Sequence, residues 1–238
     1  MKKTKNLPKH IAIIPDGNRR WARKHQMEVW FGHRKGTDGL EKLADVMIEL
    51  GIPYLSFWGS SKDNLKKRSK QEVAFLLKLF KERFLELSES EIVHKNQIRI
   101  NILGDWREQF PEDVKASLNQ AIENTKNYSK FFLNFFIAYS GTGEVLDTIK
   151  QIAEKARKDL SLKIDKNLLK DCLLTRELPP VDLMIRTGGE PHLSDGFMMW
   201  DTANTQLYFL DKLWPDFNER DLRDAIKNYL ERERRFGE

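Results

Sequence analysis

The chain has 238 residues, 40% of them hydrophobic, with 41 Lys+Arg against 36 Asp+Glu and a formal net charge of +5. That length supports one substantial core. No apolar run approaches the roughly 18 residues of a membrane span, and a single cysteine, Cys172, excludes an internal disulfide and fits a reducing compartment. The positive balance points to an anionic partner, whether nucleic acid, membrane surface or phosphorylated small molecule, or to solubility alone.

Residues 1–6 are basic, but the apolar stretch behind them, 11–14, is shorter than the roughly 7 to 15 residues of a secretory core, so a cytoplasmic protein without a signal peptide is expected. Apolar or β-branched runs bounded by Gly, Pro or polar residues predict strands at 10–15, 54–59, 98–103, 131–138 and 181–186. Between the first two, a helix over 39–50 presents Leu40, Leu43, Ala44, Met47 and Leu50 on one face and stops at Gly51. Ser69-Lys70-Gln71-Glu72 has the spacing of a capping box and predicts one long helix to about residue 94, carrying Val73, Leu76, Leu77, Phe80 and Phe84. Further helices are predicted at 111–127, with Pro111 at the first helical position, at 143–157 and at 218–233. Strands alternating with helices predict an α/β fold, a single domain over 1–238 with a mostly parallel central sheet flanked by helices. Ligands of such sheets bind beyond the carboxyl ends of the strands.

Three of the loops after strands carry chemistry. In the first, Asp16-Gly17-Asn18-Arg19-Arg20-Trp21-Ala22-Arg23, the glycine permits a tight turn, Asn18 is a candidate helix cap, and the arginines with the helix N–H groups form an anion cradle suited to a diphosphate. Asp16 fits among those cations if a divalent metal bridges it to a phosphate. The alternative is an ordinary Asp-Gly turn with solvated arginines. The second loop, 59–68, mixes Ser60, Ser61, Asp63 and Asn64 with four cations. The third, 186–194, presents Arg186, His192 and Ser194 beside Gly188 and Gly189.

The segments "HIAIIPDGNRRWA", "GHRKG", "IRINILGD", "IRTGGE", "LYFLDKLWPDF" and "RERRFG", in this order along nearly the whole chain, resemble the cis-prenyltransferase family of undecaprenyl and dehydrodolichyl diphosphate synthases. The resemblance implies condensation of isopentenyl diphosphate with an allylic diphosphate such as farnesyl diphosphate, with Mg2+ as cofactor, a cis-prenyltransferase-like fold and a homodimer. It implies that Asp16 holds Mg2+, that Gly17, Asn18, Arg19 and Arg20 grip the allylic diphosphate, that Trp21 lines the site and that His33 assists at the phosphates. It places Asn64 as the catalytic asparagine with Ser61 and Asp63 beside it. Arg186, His192 and Ser194 fall on the isopentenyl diphosphate site, and Arg235 and Gly237 on a carboxyl-terminal motif reaching into the neighbouring subunit.

Some positions depart from the family pattern. Val29 and His192 stand where arginines are usual, Leu65 replaces a tryptophan, the loop's arginine appears as Lys67 or Arg68, and Gln206 replaces a metal-binding glutamate, an amide being a weaker ligand for Mg2+. Gly196 reads as a one-residue insertion. Two readings therefore stand beside catalysis: a non-catalytic partner subunit, and irregular coupling of two allylic units. Nucleic acid is disfavoured, because the cations gather in loops with carboxylates and form no continuous stripe. A greasy product requires an apolar tunnel, for which the long helix and the run Phe131-Phe132-Leu133-Asn134-Phe135-Phe136 are candidate walls, with Phe135 and Phe136 limiting product length. Peripheral, reversible contact with a membrane surface through the product is expected.

Overall fold

Buried on both sides, a parallel strand needs a continuous apolar run, and the five predicted runs become strands: β1 His10–Ile14, β2 Tyr54–Trp58, β3 Ile98–Leu103, β4 Phe131–Phe136 and β5 Leu183–Arg186. A sixth, β6 Gln206–Phe209, was not predicted. It has four residues, only partly buried, at the sheet edge, and its sequence carries no alternation long enough to read. The computed structural model describes residues 7–232; Arg235 and Gly237 lie outside the described residues. The strand order is β3-β4-β2-β1-β5-β6, and every neighbouring pair is parallel.

The helices are α1 Asn18–Lys24, α2 Val29–Thr37, α3 Leu40–Leu50, α4 Lys62–Lys67, α5 Lys70–Glu89, α6 Glu91–Lys95, α7 Trp106–Gln109, α8 Glu112–Thr125, α9 Gly141–Lys158, α10 Lys166–Cys172 and α11 Glu219–Glu231, with a 3-10 turn at Trp214–Asp216. The long predicted helix breaks into α5 and α6 at Ser90, whose ψ of 123° is extended. Just before the break the Ser88 hydroxyl donates to the carbonyl of Leu85 (2.7 Å), the back-bonding that bends helices. Pro111 sits one position earlier than predicted, as the cap of α8, its carbonyl accepting from the N–H groups of Val114 and Lys115. Helix α9 starts two residues early because the Ser140 hydroxyl caps it, accepting from Gly143 N–H at 3.0 Å.

Alternate residues of a strand face opposite sides of the sheet. Ile11, Ile13, Phe57, Leu133 and Phe135 join α3, α5, α8 and α11 in the larger core. Ala12, Ile14, Trp58 and Phe136 join Tyr139, Met184, Phe197 and Met198 in a smaller one on the other side. Phe136 therefore takes no part in a tunnel beside α5, contrary to expectation. Phe135 and Phe136, adjacent in β4, point to opposite sides of the sheet.

Candidate active site

Three post-strand loops converge at the carboxyl edge of the sheet. After β1 the chain turns at Gly17, whose φ of 110° is in the left-handed region and whose absent Cβ would lie 2.8 Å from the Leu213 side chain. The carbonyl of Asp16 accepts from Trp214 N–H (2.9 Å) and from the Thr187 hydroxyl (2.7 Å), which pins the loop after β1 to those after β5 and β6. Gly188 lets the third loop pass close by: a Cβ there would stand 2.4 Å from the Arg20 guanidinium.

The result is a cavity of about 400 Å³ lined by Asp16, Gly17, Asn18, Arg19, Arg20, Arg23, His33, Asn64, Arg68 and Ser194. Among the described residues Asp16 is its single carboxylate, against the four arginines of that lining. One of its oxygens lies 3.3 Å from Arg20 and the other accepts from Arg186 Nη2 at 2.8 Å. Arg186, buried behind the loop, also donates from Nη1 to the carbonyl of His192 (2.5 Å), to the Ser194 hydroxyl (2.8 Å) and to His192 Nδ1 (3.2 Å), while its Nε has no partner among the described residues. Residues expected to serve two different diphosphates are thus wired to one another through Asp16.

Arg68 lines the cavity, and Glu72 stands behind it. Glu72 is buried, and its carboxylate gathers His33 Nε2 at 3.1 Å, Arg68 at 3.5 Å and Arg19 at 3.8 Å. Its hydrogen bond with His33 holds the carboxyl below the ordinary carboxylate range, while burial pulls the His33 imidazole down. The predicted capping box is therefore half formed: Ser69 accepts from Glu72 N–H at 3.2 Å, but the carboxylate turns to the site. Sequence reading took Glu72 for a cap and missed this function; its i,i+4 spacing from Arg68 was the available signal.

Several expectations need correction. Asn18 is the first residue of α1 and does not cap it; its amide donates to the Pro15 carbonyl (3.3 Å), and its Oδ1 is buried without a partner among the described residues. Trp21 does not line the cavity but donates to Asp216 (2.7 Å) and stacks on His25. Asp63 faces solvent, paired with Lys67 at 2.6 Å, and Ser61 caps α4 by accepting from Asn64 N–H at 3.0 Å. Arg34, in the segment "GHRKG", does not line the cavity but pairs with Glu82 at 3.2 Å.

Gln206 begins β6 in register with Leu183, which pairs with Ile11. At about 3.3 Å per residue it lies more than about 10 Å from Asp16, so within one chain the two do not share an ion. Among the described residues no group of three or more His, Cys, Asp and Glu could hold a metal. A hard cation at this point would have Asp16 as its one carboxylate among the described residues and would need substrate oxygens for its other positions.

Below the charged cavity lies an apolar chamber of about 110 Å³ between α2, α5 and the sheet, walled by Leu76, Leu79, Phe80, Phe84, Phe135 and Ile137. Of the tunnel residues predicted on α5, Leu76, Phe80 and Phe84 line it and Val73 and Leu77 do not. Pro15, Asn18, His33, Trp58 and Gly59 belong to both linings. The upper lining is suited to an anion and the lower one to hydrocarbon.

Comparison with known proteins follows the same lines. Residues 14–237 match the profile of the family described as "Putative undecaprenyl diphosphate synthase". A tritrans,polycis-undecaprenyl-diphosphate synthase (geranylgeranyl-diphosphate specific) of Pyrococcus horikoshii is 41% identical over 97% of this chain and 87% of its own. An isoprenyl transferase of Chlamydia trachomatis is 40% identical over 98% and 92%. The crystal structure of lavandulyl diphosphate synthase from Lavandula x intermedia, in complex with dimethylallyl diphosphate, superposes with a TM-score of 0.91 at 33% identity, covering 98% of this chain and 99% of that one. Motif order, sheet topology, the charged cavity above an apolar chamber and these matches agree: the chain belongs to the undecaprenyl diphosphate synthase family of cis-prenyltransferases.

Proposed function

We propose that this protein elongates prenyl chains, condensing isopentenyl diphosphate with an allylic diphosphate such as farnesyl diphosphate to give a cis-polyprenyl diphosphate and free diphosphate. The observation that carries the reading is the shared wall between an arginine-lined cavity and an apolar chamber, which matches an amphiphilic substrate and no nucleic acid. Gly17, Asn18, Arg19 and Arg20 would receive the allylic diphosphate, and Arg186, Ser194 and His192 the second one. As these enter, phosphate oxygens replace Asp16 as partners of Arg20 and Arg186, so the site trades internal ion pairs for substrate. A new carbon–carbon bond then forms as the allylic carbon–oxygen bond breaks, and the isopentenyl unit loses its proton to a diphosphate oxygen, a departure that Asn64 orients. Mg2+ on Asp16, when bound, supplies charge neutralisation to the departing diphosphate.

A homodimer belongs to this reading, with Arg235 and Gly237 serving the neighbouring site; the exposed Leu146 and Ile149 of α9, with Met199 and Trp200, offer apolar surface for it. Among the described residues no helix is long and apolar enough to cross a membrane. Cytoplasmic residence with transient membrane contact through the product is the matching localisation.

The test is incorporation of radiolabelled isopentenyl diphosphate by the purified chain alone, with and without Mg2+, and mass spectrometry of the product. Asp16→Ala is expected to lower turnover about 10²–10³-fold with an unchanged thermal transition. No incorporation by wild type would favour the partner-subunit reading. The match to a synthase bound to dimethylallyl diphosphate keeps irregular coupling as a second reading, which branched product from an allylic substrate supplied alone would favour.

A further inference from the structure

The charged cavity and the first apolar chamber account for a head group and the start of a tail, yet a second chamber lies beyond them. It has a volume of about 210 Å³ and is bounded at its far end by Ile92, Val93, Ile98 and Leu133. Thr37, Leu40, Arg83, Leu87 and Phe135 line both chambers, so these residues form the boundary between them. Each chamber alone falls short of the roughly 300 Å³ at which ligand sites usually begin. A chain of several isoprene units needs both.

Arg83 spans that boundary. Its Nε donates to the Thr37 hydroxyl at 3.0 Å, Nη2 to Asp38 at 3.0 Å and Nη1 to Glu86 on its own helix at 2.8 Å. The guanidinium therefore bolts α5 to the corner between α2 and α3. On the sheet side Phe135 meets Phe84 edge-on, with ring centroids 5.0 Å apart, and stacks beside Phe57 at 6.0 Å. A tail moving from the first chamber into the second passes between this aromatic floor and the Arg83 bridge. With the Arg83 side chain 34% and Asp38 45% exposed, the bridge is of the solvent-screened kind that holds weakly, whereas each added isoprene unit is driven out of water.

We propose that the bridge from Arg83 to Thr37 and Asp38 is a latch on product length. Closed, it confines the growing chain to the first chamber; open, it joins the chambers and admits further five-carbon units. The inference rests on the chain-elongation reading above.

The experiment compares product lengths by mass spectrometry for wild type, Arg83→Ala, Arg83→Lys and Asp38→Ala, each with farnesyl diphosphate and excess isopentenyl diphosphate. Arg83→Ala is expected to shift the main product upward by at least one five-carbon unit. Asp38→Ala should move it in the same direction, which keeps the idea testable if the arginine variant fails to fold. Arg83→Lys, which can reach Asp38 but lacks the fork to Thr37, should fall between wild type and Arg83→Ala; a merely structural role would not produce that order. Unmoved or shorter products in both alanine variants overturn the latch while leaving elongation intact. A wild type that makes no polyprenyl product overturns elongation, and the latch with it.

Discussion

The two faces of the sheet solve different problems. On the side of α9, His10 donates from Nδ1 to the Pro179 carbonyl (2.8 Å), Ser56 donates to His10 Nε2 (2.8 Å), and the Asn134 amide donates to the Ser56 oxygen (3.1 Å) while accepting from Asn101 (2.8 Å). Beside this ladder Trp58, Phe136, Tyr139 and Phe197 pack edge-to-face at 4.8 to 6.2 Å. On the opposite side α5 stands over cavities and is tied to α2 and its neighbours by a hydrogen bond between Glu72 and His33 and by the ion pairs of Glu82 with Arg34 and Arg83 with Asp38. One face packs its aromatic side chains edge to face over a hydrogen-bonded ladder; the other is held in part by solvent-screened ion pairs. A protein that must admit a lengthening apolar chain needs its weak seam on one side and its stability on the other.

Breaking the filled face should have the largest effect. Phe136→Ala, at a fully buried position, is expected to cost about 3–5 kcal/mol in urea unfolding and to leave product length unchanged; a shift in product length would erase the distinction between the faces. Next comes pH. Burial holds His10 well below its ordinary value, at about 4, so its contribution to stability is complete above about pH 6.5 and is lost as pH falls toward 4, about 3 kcal/mol in all. His10→Gln should flatten the pH dependence of the unfolding free energy between pH 6.5 and 4.5, and identical slopes would show that the ladder does not hold a neutral imidazole.

On the open face the effects should be smaller in stability and larger in product. Phe135→Ala borders a cavity already and is expected to cost about 2 kcal/mol, with a longer main product; an unchanged product would remove Phe135 from the channel. Glu72→Gln keeps the shape but loosens the hold on Arg19, His33 and Arg68, and should lower kcat/KM for the allylic diphosphate about tenfold, or about 1.4 kcal/mol. A change in kcat alone would argue that Glu72 does not position the binding groups.

Much of this was legible from local pattern. β1 to β5, α3 and the capped α11 follow from periodicity and caps within a dozen residues, and the loops after β1, β2 and β5 were recognisable as site material by their charge. What escaped reading depended on neighbours distant in sequence. β6 is a strand because β5 offers it an edge. Trp21 turned to Asp216, 195 residues away. Asp63 and Asn64 are adjacent, yet the short helix α4 sends one to solvent and the other to the cavity.

The sequence by itself determined the alternation of strands and helices, the clustering of cations around Asp16, and the apolar content of the segments that wall the chambers, because each is a property of residue type and spacing. Tertiary structure alone decided that Phe135 and Phe136 serve opposite faces, that Glu72 is a hub rather than a cap, that Gln206 stands at the other end of the sheet from Asp16, and that Arg83 lies between two chambers. Those outcomes depend on which surfaces the folded chain brings within a few ångströms of each other, and that information is carried by packing across the sheet rather than by any stretch of sequence.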